Sequence, residues 1–179
     1  MKLELDLSKD DYLQHQLYRA SKRKTIKTQK IRNAIIFSIL AVLLGTYGYM
    51  KTENVFFIIL FGVILVIDIF TYPLYLRILY KRHFSKFINE NYNDKIGKIG
   101  SLEIIDKFIF VKDVGSESEY KIDIKEIREI VEIQTNYFLI TGNIASLILL
   151  KKTETNNFIN ILVNNYDIKL NKELNWKWK

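Results

Sequence analysis

The sequence predicts a two-helix membrane hairpin carrying a cytoplasmic α+β domain, the latter a small antiparallel sheet with a C-terminal helix. Three observations lead there. Apolar residues are gathered into two runs, 33–50 and 55–76. Beyond residue 100 the hydrophobic period changes to two, the period of strands. The positive charge lies beside the apolar runs: residues 1–99 hold 16 Lys and Arg against 8 acidic residues, while residues 100–179 hold 11 against 12. A basic surplus flanking apolar spans is the mark of membrane topology rather than of nucleic-acid binding.

At about 1.5 Å per residue each run is long enough to cross a hydrocarbon core of roughly 30 Å, the first barely and the second with some tilt. Neither shows the polar residues at helical spacing that a soluble bundle would. The first run also starts too far along the chain to be the apolar core of a cleaved signal peptide. Lys51, Thr52, Glu53 and Asn54 join the runs, and so short a link forces an antiparallel hairpin. Arg19, Lys22, Arg23, Lys24, Lys27, Lys30 and Arg32 precede the first span; Arg77, Lys81, Arg82 and Lys86 follow the second. Lys and Arg stay on the cytoplasmic side, so a two-pass protein of the cell membrane with both termini cytoplasmic is expected. The same eleven cations would attract anionic headgroups. Tyr47 and Tyr49 suit the outer aromatic belt; Tyr72, Tyr75 and Tyr80 suit the inner one.

Ser38, Ala41, Gly45 and Gly48 recur at i, i+3, i+7 and i+10, a stripe of small side chains on the first helix. Small residues let helix backbones approach closely in lipid. The expected partner is the second helix at Gly62, a dimer seam being the alternative. Asp68 is the one ionisable residue deep in a span, roughly 12 Å below the inner boundary if Leu76 marks it. An intramembrane carboxylate is a functional candidate by default. The plainer reading has it neutral, or hydrogen-bonded to Thr71, Tyr72 and Tyr75, and tolerated there.

Residues 1–32 read as a strand and a basic juxtamembrane helix, 33–76 as the hairpin, 77–99 as a juxtamembrane helix and linker, and 100–179 as the sheet-and-helix domain. Residues 2–7 alternate strictly, Lys-Leu-Glu-Leu-Asp-Leu, and are expected to complete that domain's sheet. Ser8 with Asp11 three residues on resembles a capping box. After the second span Tyr80, Phe84, Phe87 and Ile88 continue a helical stripe to about residue 91. Short β-prone runs then cover 102–105, 107–112, 119–124, 127–134, 137–141 and 144–150, with turn residues at Gly115-Ser116, Thr135-Asn136 and Gly142-Asn143. Thr153 or Thr155 is expected to cap a final helix bearing Phe158, Ile161 and Leu162.

This order of parts resembles the YcxB-like family of small bacterial membrane proteins. The stretches that carry the resemblance are Gly100-Ser101-Leu102, Lys121-Ile122-Asp123-Ile124-Lys125-Glu126-Ile127, Ile130-Val131-Glu132, Tyr137-Phe138-Leu139-Ile140 and Ala145 through Lys152. Where the family often has an aromatic and a closing Pro, this chain has Asp123-Ile124 and Leu149-Leu150-Lys151-Lys152. The resemblance implies a pleckstrin-homology-like fold for the C-terminal domain. It implies no activity and no site residue.

Little in the chain points to catalysis. There is no Cys, the two His (His15 and His83) lie on opposite flanks, and the seven Gly never cluster into a phosphate loop. No cofactor, metal site or catalytic residue is expected. Glu103, Glu117, Glu119, Glu126, Glu129 and Glu132 read as a solvated face, and Lys151-Lys152 as a charged turn or a headgroup contact. The tail Trp176-Lys177-Trp178-Lys179 suits a membrane interface or a frayed end. The expected function is a membrane-anchored, non-catalytic interaction module with a protein partner, peptide, lipid or second copy as ligand. The alternative is a subunit of a small transporter or oligomeric membrane complex using Asp68.

Overall fold

The computed structural model describes residues 1–112, 119–142 and 146–178, which fall into two compact units. One comprises Met1–Gln16 and Phe84–Lys177; the other comprises Leu17–His83 with Trp178. The turn expected at Gly115-Ser116, and Glu117, Asn143, Ala145 and Lys179, lie outside the described residues.

Strand β1 (Lys2–Asp6) opens the chain, followed by helices α1 (Lys9–Lys22), α2 (Lys24–Thr52) and α3 (Phe56–Asn91). The Ser8–Asp11 pair does form a capping box: Asp11 accepts the Ser8 N–H at 2.9 Å, and Ser8 Oγ accepts the Asp11 N–H at 3.3 Å. The single basic helix expected before residue 33 is instead interrupted at Arg23, which is extended at φ −70° and ψ 119°. At the hairpin tip Glu53 takes the left-handed conformation, φ 54°, and its N–H bonds Tyr49 O at 2.7 Å. Asn54 Oδ1 accepts the Phe56 N–H at 2.8 Å and so caps α3. That helix continues to Asn91, as the stripe through Ile88 predicts, and carries Pro73 within it.

Both α2 and α3 are long and apolar enough to cross a membrane. Their large side chains stay open rather than forming a protein core: Leu43 is 58% exposed, Val63 52% and Phe70 71%. A girdle of that kind suits hydrocarbon, where exposed apolar surface costs nothing.

In the other unit, β2 (Ile99–Ile105), β3 (Phe108–Lys112) and β4 (Glu119–Asp123) follow α3. They form an antiparallel sheet in the order β1-β2-β3-β4, with Leu3 opposite Leu102. A 3₁₀ turn at Ile124–Glu126 leads to β5 (Ile127–Glu132), β6 (Asn136–Thr141) and β7 (Ser146–Leu150). After helix α4 (Thr153–Tyr166) comes β8 (Leu170–Lys172), which pairs parallel to β5, giving a second sheet in the order β7-β6-β5-β8. The expected single antiparallel sheet is therefore two four-stranded sheets, one of them mixed. Alternation explains the core. Leu3, Leu5, Leu102, Ile109, Val111 and Ile122 from the first sheet meet Ile130, Leu139 and Leu149 from the second, and Phe158 and Leu162 of α4 close over them. Neither Thr153 nor Thr155 caps α4. Lys152 holds the N-cap position without a side-chain bond, and Thr155 is buried.

Candidate functional site

Helix α2 turns its glycines toward α3. A Cβ built on Gly48 would lie 2.7 Å from the Phe57 ring, and one on Gly45 would lie 3.2 Å from Phe61 Cβ. At Gly48 the Phe57 side chain occupies the space a Cβ would need, and at Gly45 the fit against Phe61 is tight. The partner of the small-residue stripe is thus Phe57 and Phe61. Gly62, expected at that contact, has nothing within 4 Å of such a Cβ. It lines an apolar groove of about 190 Å³ with Val42, Thr46 and Ile58. Ser38 Oγ donates to Ala34 O at 2.9 Å.

Asp68 and Ser38 line a second groove, of about 310 Å³, whose remaining walls are apolar and include Phe37, Leu40, Leu44 and Ile64. The two grooves share Ala41, Phe61 and Leu65. The hydrogen bonds expected from Asp68 to Thr71, Tyr72 and Tyr75 are not formed. Tyr72 meets Phe37 edge-on at 6.0 Å, and Thr71 and Tyr75 are exposed. Among the described residues no hydrogen bond or ion pair reaches the Asp68 carboxyl, which is half-buried.

Of the eleven cations, Arg23, Lys24, Lys27, Arg32, Lys81 and Arg82 are exposed and Arg19 is half-buried. Lys22 lies over the Tyr18 ring at 5.1 Å, and Lys86 pairs with Glu90 at 3.8 Å on the surface. Lys30 is placed differently, with its ammonium 5.8 Å from the Tyr80 ring centre and 4.9 Å from that of Trp178. Trp178 is only 8% exposed; its indole N–H donates to Arg77 O at 3.1 Å and its ring stands edge-on to Tyr80 at 5.7 Å. The tail is therefore neither frayed nor a strand end at this residue. Its alternating Trp and Lys hinted at an interface, but nothing in the spacing named Lys30, Arg77 and Tyr80 as neighbours.

No protein-family model, curated protein or solved structure matches this chain.

In the sheet unit two polar clusters sit where the sequence suggested only surface. Asp11 Oδ1 accepts from Nδ2 of the fully buried Asn136 at 2.7 Å, and buried His15 packs edge-on against Phe138 at 5.2 Å. Glu132, read as solvated, is paired with Lys151 at 2.6 Å, both largely buried. The ammonium lies 5.4 Å from the centre of the Tyr137 ring, whose hydroxyl donates to Asn156 Oδ1 at 2.9 Å. Burial, and then the neighbouring Glu132 charge and its hydrogen bond, hold the Tyr137 phenol above its usual range. Glu129 likewise accepts from Asn171 Nδ2 rather than standing in solvent. Lys151 is thus spent on Glu132, which weakens the headgroup reading of Lys151-Lys152. No group of three or more His, Asp and Glu that could hold a metal ion occurs among the described residues.

Proposed function

We propose that the chain is a membrane-anchored, non-catalytic interaction module. A two-pass hairpin with both termini cytoplasmic holds the α+β unit at the inner membrane face, where it binds a protein partner. One observation carries this reading: β1 and β2 are hydrogen-bonded neighbours, and the chain between them is the whole of α1, α2 and α3. The membrane element is built into a strand-to-strand connection instead of hanging from a flexible linker. An anchor of that kind joins the sheet unit through two chain connections, one on each side of the hairpin. Two four-stranded sheets, with α4 ahead of the closing strand β8, are loosely consistent with a pleckstrin-homology-like unit. Exposed Lys24, Lys27, Arg32, Lys81 and Arg82 add attraction to anionic lipid, at about 1 kcal/mol per charge near the surface.

The test is purification of the intact protein from native membranes in mild detergent, followed by identification of what is retained. A partner retained in fixed proportion, and lost when exposed sheet residues such as Ile99 and Tyr120 are made Lys, supports the module. A partner retained equally by those variants contradicts it. A second reading, a transporter subunit using Asp68, is favoured by one observation, that no hydrogen bond or ion pair reaches its carboxyl among the described residues. It predicts that Asp68→Asn abolishes whatever phenotype deletion of the chain produces.

A further inference from the structure

We propose that the segment after β8 is a strap: Trp178 holds the open ends of α2 and α3 together, and it stays seated only while the sheet containing β8 is folded. Two helices joined at a short tip need packing contacts along their length to stay paired. Near the tip that contact is the close approach of Gly45 and Gly48 to Phe61 and Phe57. Further along, the Phe37 and Tyr72 rings meet at 6.0 Å. Lys30 lies about 22 Å along α2 from Gly45 at the helical rise. There the helices are bridged by a side chain from outside the hairpin, Trp178, which follows β8. The chain thus enters the hairpin unit a second time. The indole N–H donates to the Arg77 carbonyl of α3 at 3.1 Å, and the ring stands edge-on to Tyr80 of α3 at 5.7 Å. The Lys30 ammonium of α2 lies 4.9 Å from its ring centre. One side chain touches both helices, and only 8% of it is exposed. A hydrogen bond, an aromatic edge and a cation at the ring converge on it, so the indole is oriented as well as buried.

The segment that carries Trp178 has little slack. Directly after β8 pairs with β5, the Glu173 N–H donates to Glu132 O of β5 at 2.8 Å. The Trp176 N–H then turns back to Glu173 O at 2.9 Å. Beyond Glu173, the five residues 174–178 reach no further than about 17 Å even when fully extended. The turn takes up part of that reach. A tether this short presents Trp178 to its seat at a high effective concentration for as long as β5 and β8 hold its other side. When the sheet unfolds, the tether becomes the whole chain from Asn91 onward, and the effective concentration falls with its length. The strap therefore makes the spacing of α2 and α3 depend on the state of the sheet unit.

The strap is independent of what the sheet unit binds, and it is tested on the full chain in lipid nanodiscs. The chain has no native Cys, so labels go only where they are placed. Spin labels on exposed Lys27→Cys and Lys81→Cys read the open ends, and labels on Tyr47→Cys and Ile59→Cys read the tip region. Trp178→Ala is expected to lengthen and broaden the first distance distribution and to leave the second unchanged. Trp178→Phe, which keeps a ring and gives up the N–H bond, should fall between. An open-end distribution unchanged by Trp178→Ala overturns the strap and leaves the residue an ordinary interfacial aromatic. Equal broadening at both pairs overturns it too, because the variant would then disturb the hairpin as a whole. Dependence on the sheet is read by fluorescence. The chain has two Trp, so Trp176→Phe leaves Trp178 as the one indole. Denaturant should red-shift its emission at the midpoint where the β-sheet amide I band is lost. Leu162→Ala, a truncation in the fully buried core of the sheet unit, should lower both midpoints together. An indole still shielded after the sheet has unfolded, or a Trp178 midpoint that Leu162→Ala leaves in place, overturns the coupling.

Discussion

Asp11 shows how much a single side chain can hold. Its two oxygens accept from the Ser8 backbone, the Ser8 hydroxyl at 2.5 Å and the buried amide of Asn136. Removing it leaves Asn136 Nδ2 buried without that acceptor, a loss of about 1–3 kcal/mol. Asp11→Ala should therefore lower the unfolding free energy by that amount, and a double-mutant cycle with Asn136→Ala should show coupling near 1 kcal/mol. Additive effects would contradict the bond. Gly48 makes the same point by sterics. Gly48→Ala forces the Phe57 ring aside and should cost about 1–3 kcal/mol in detergent unfolding, whereas Gly62→Ala, with open space around it, should cost nothing. Tyr137 gives a pH prediction. Its phenol is raised above the ordinary value of about 10. Between that value and the folded one the native state binds the extra proton, so stability falls as pH rises through this window and is fully present below it. Tyr137→Phe should lose the Asn156 bond at neutral pH and flatten the alkaline decline, as followed by denaturant unfolding from pH 8 upward. An unchanged slope would place the titration elsewhere.

At the scale of elements, β1 carries the most weight for its length. Five residues supply Leu3 and Leu5 to the core and the edge of one sheet. Leu3→Asp should unfold the sheet unit, because a charge would enter a position that is 1% exposed. Loss of protease protection across 100–170 would register it, and retained protection would show that β1 is dispensable. Strict alternation made β1 legible in the sequence, whereas β3 to β7 showed as short apolar, β-prone runs between turn residues. The run of apolar stripe residues past Leu76 likewise marked the end of α3 at Asn91. Other elements left no such trace. The break at Arg23 lies between Lys22 and Lys24 with no Gly or Pro to announce it. Strand β8 is three residues long, and its pairing with β5 depends on chain from 40 residues away. Thr155 has the chemistry of a cap, but its place on the inner face of α4 decides otherwise. For the same reason Asp68 could be picked out by its position in an apolar run, while its lack of Tyr72 and Tyr75 as partners depends on rotamers and packing that no pattern encodes.

For the molecule as a whole, the decisive feature is that two helices long and apolar enough to cross a membrane are inserted between neighbouring strands of one sheet. Strands β1 and β2 pair, and the proposed two-pass reading therefore has the chain leave and return on one side of the bilayer. In the proposed topology that side is the cytoplasm, on the distribution of Lys and Arg. The exposed apolar girdle of α2 and α3 and the short tip at Glu53 and Asn54 are what such an insertion requires. The most direct test is the sidedness of three positions in intact cells, measured with reporters fused at Met1 and Lys179 and inserted at Thr52. The account predicts that both ends report the cytoplasm and that Thr52 reports the exterior. Ends on opposite sides, or a cytoplasmic Thr52, would contradict it.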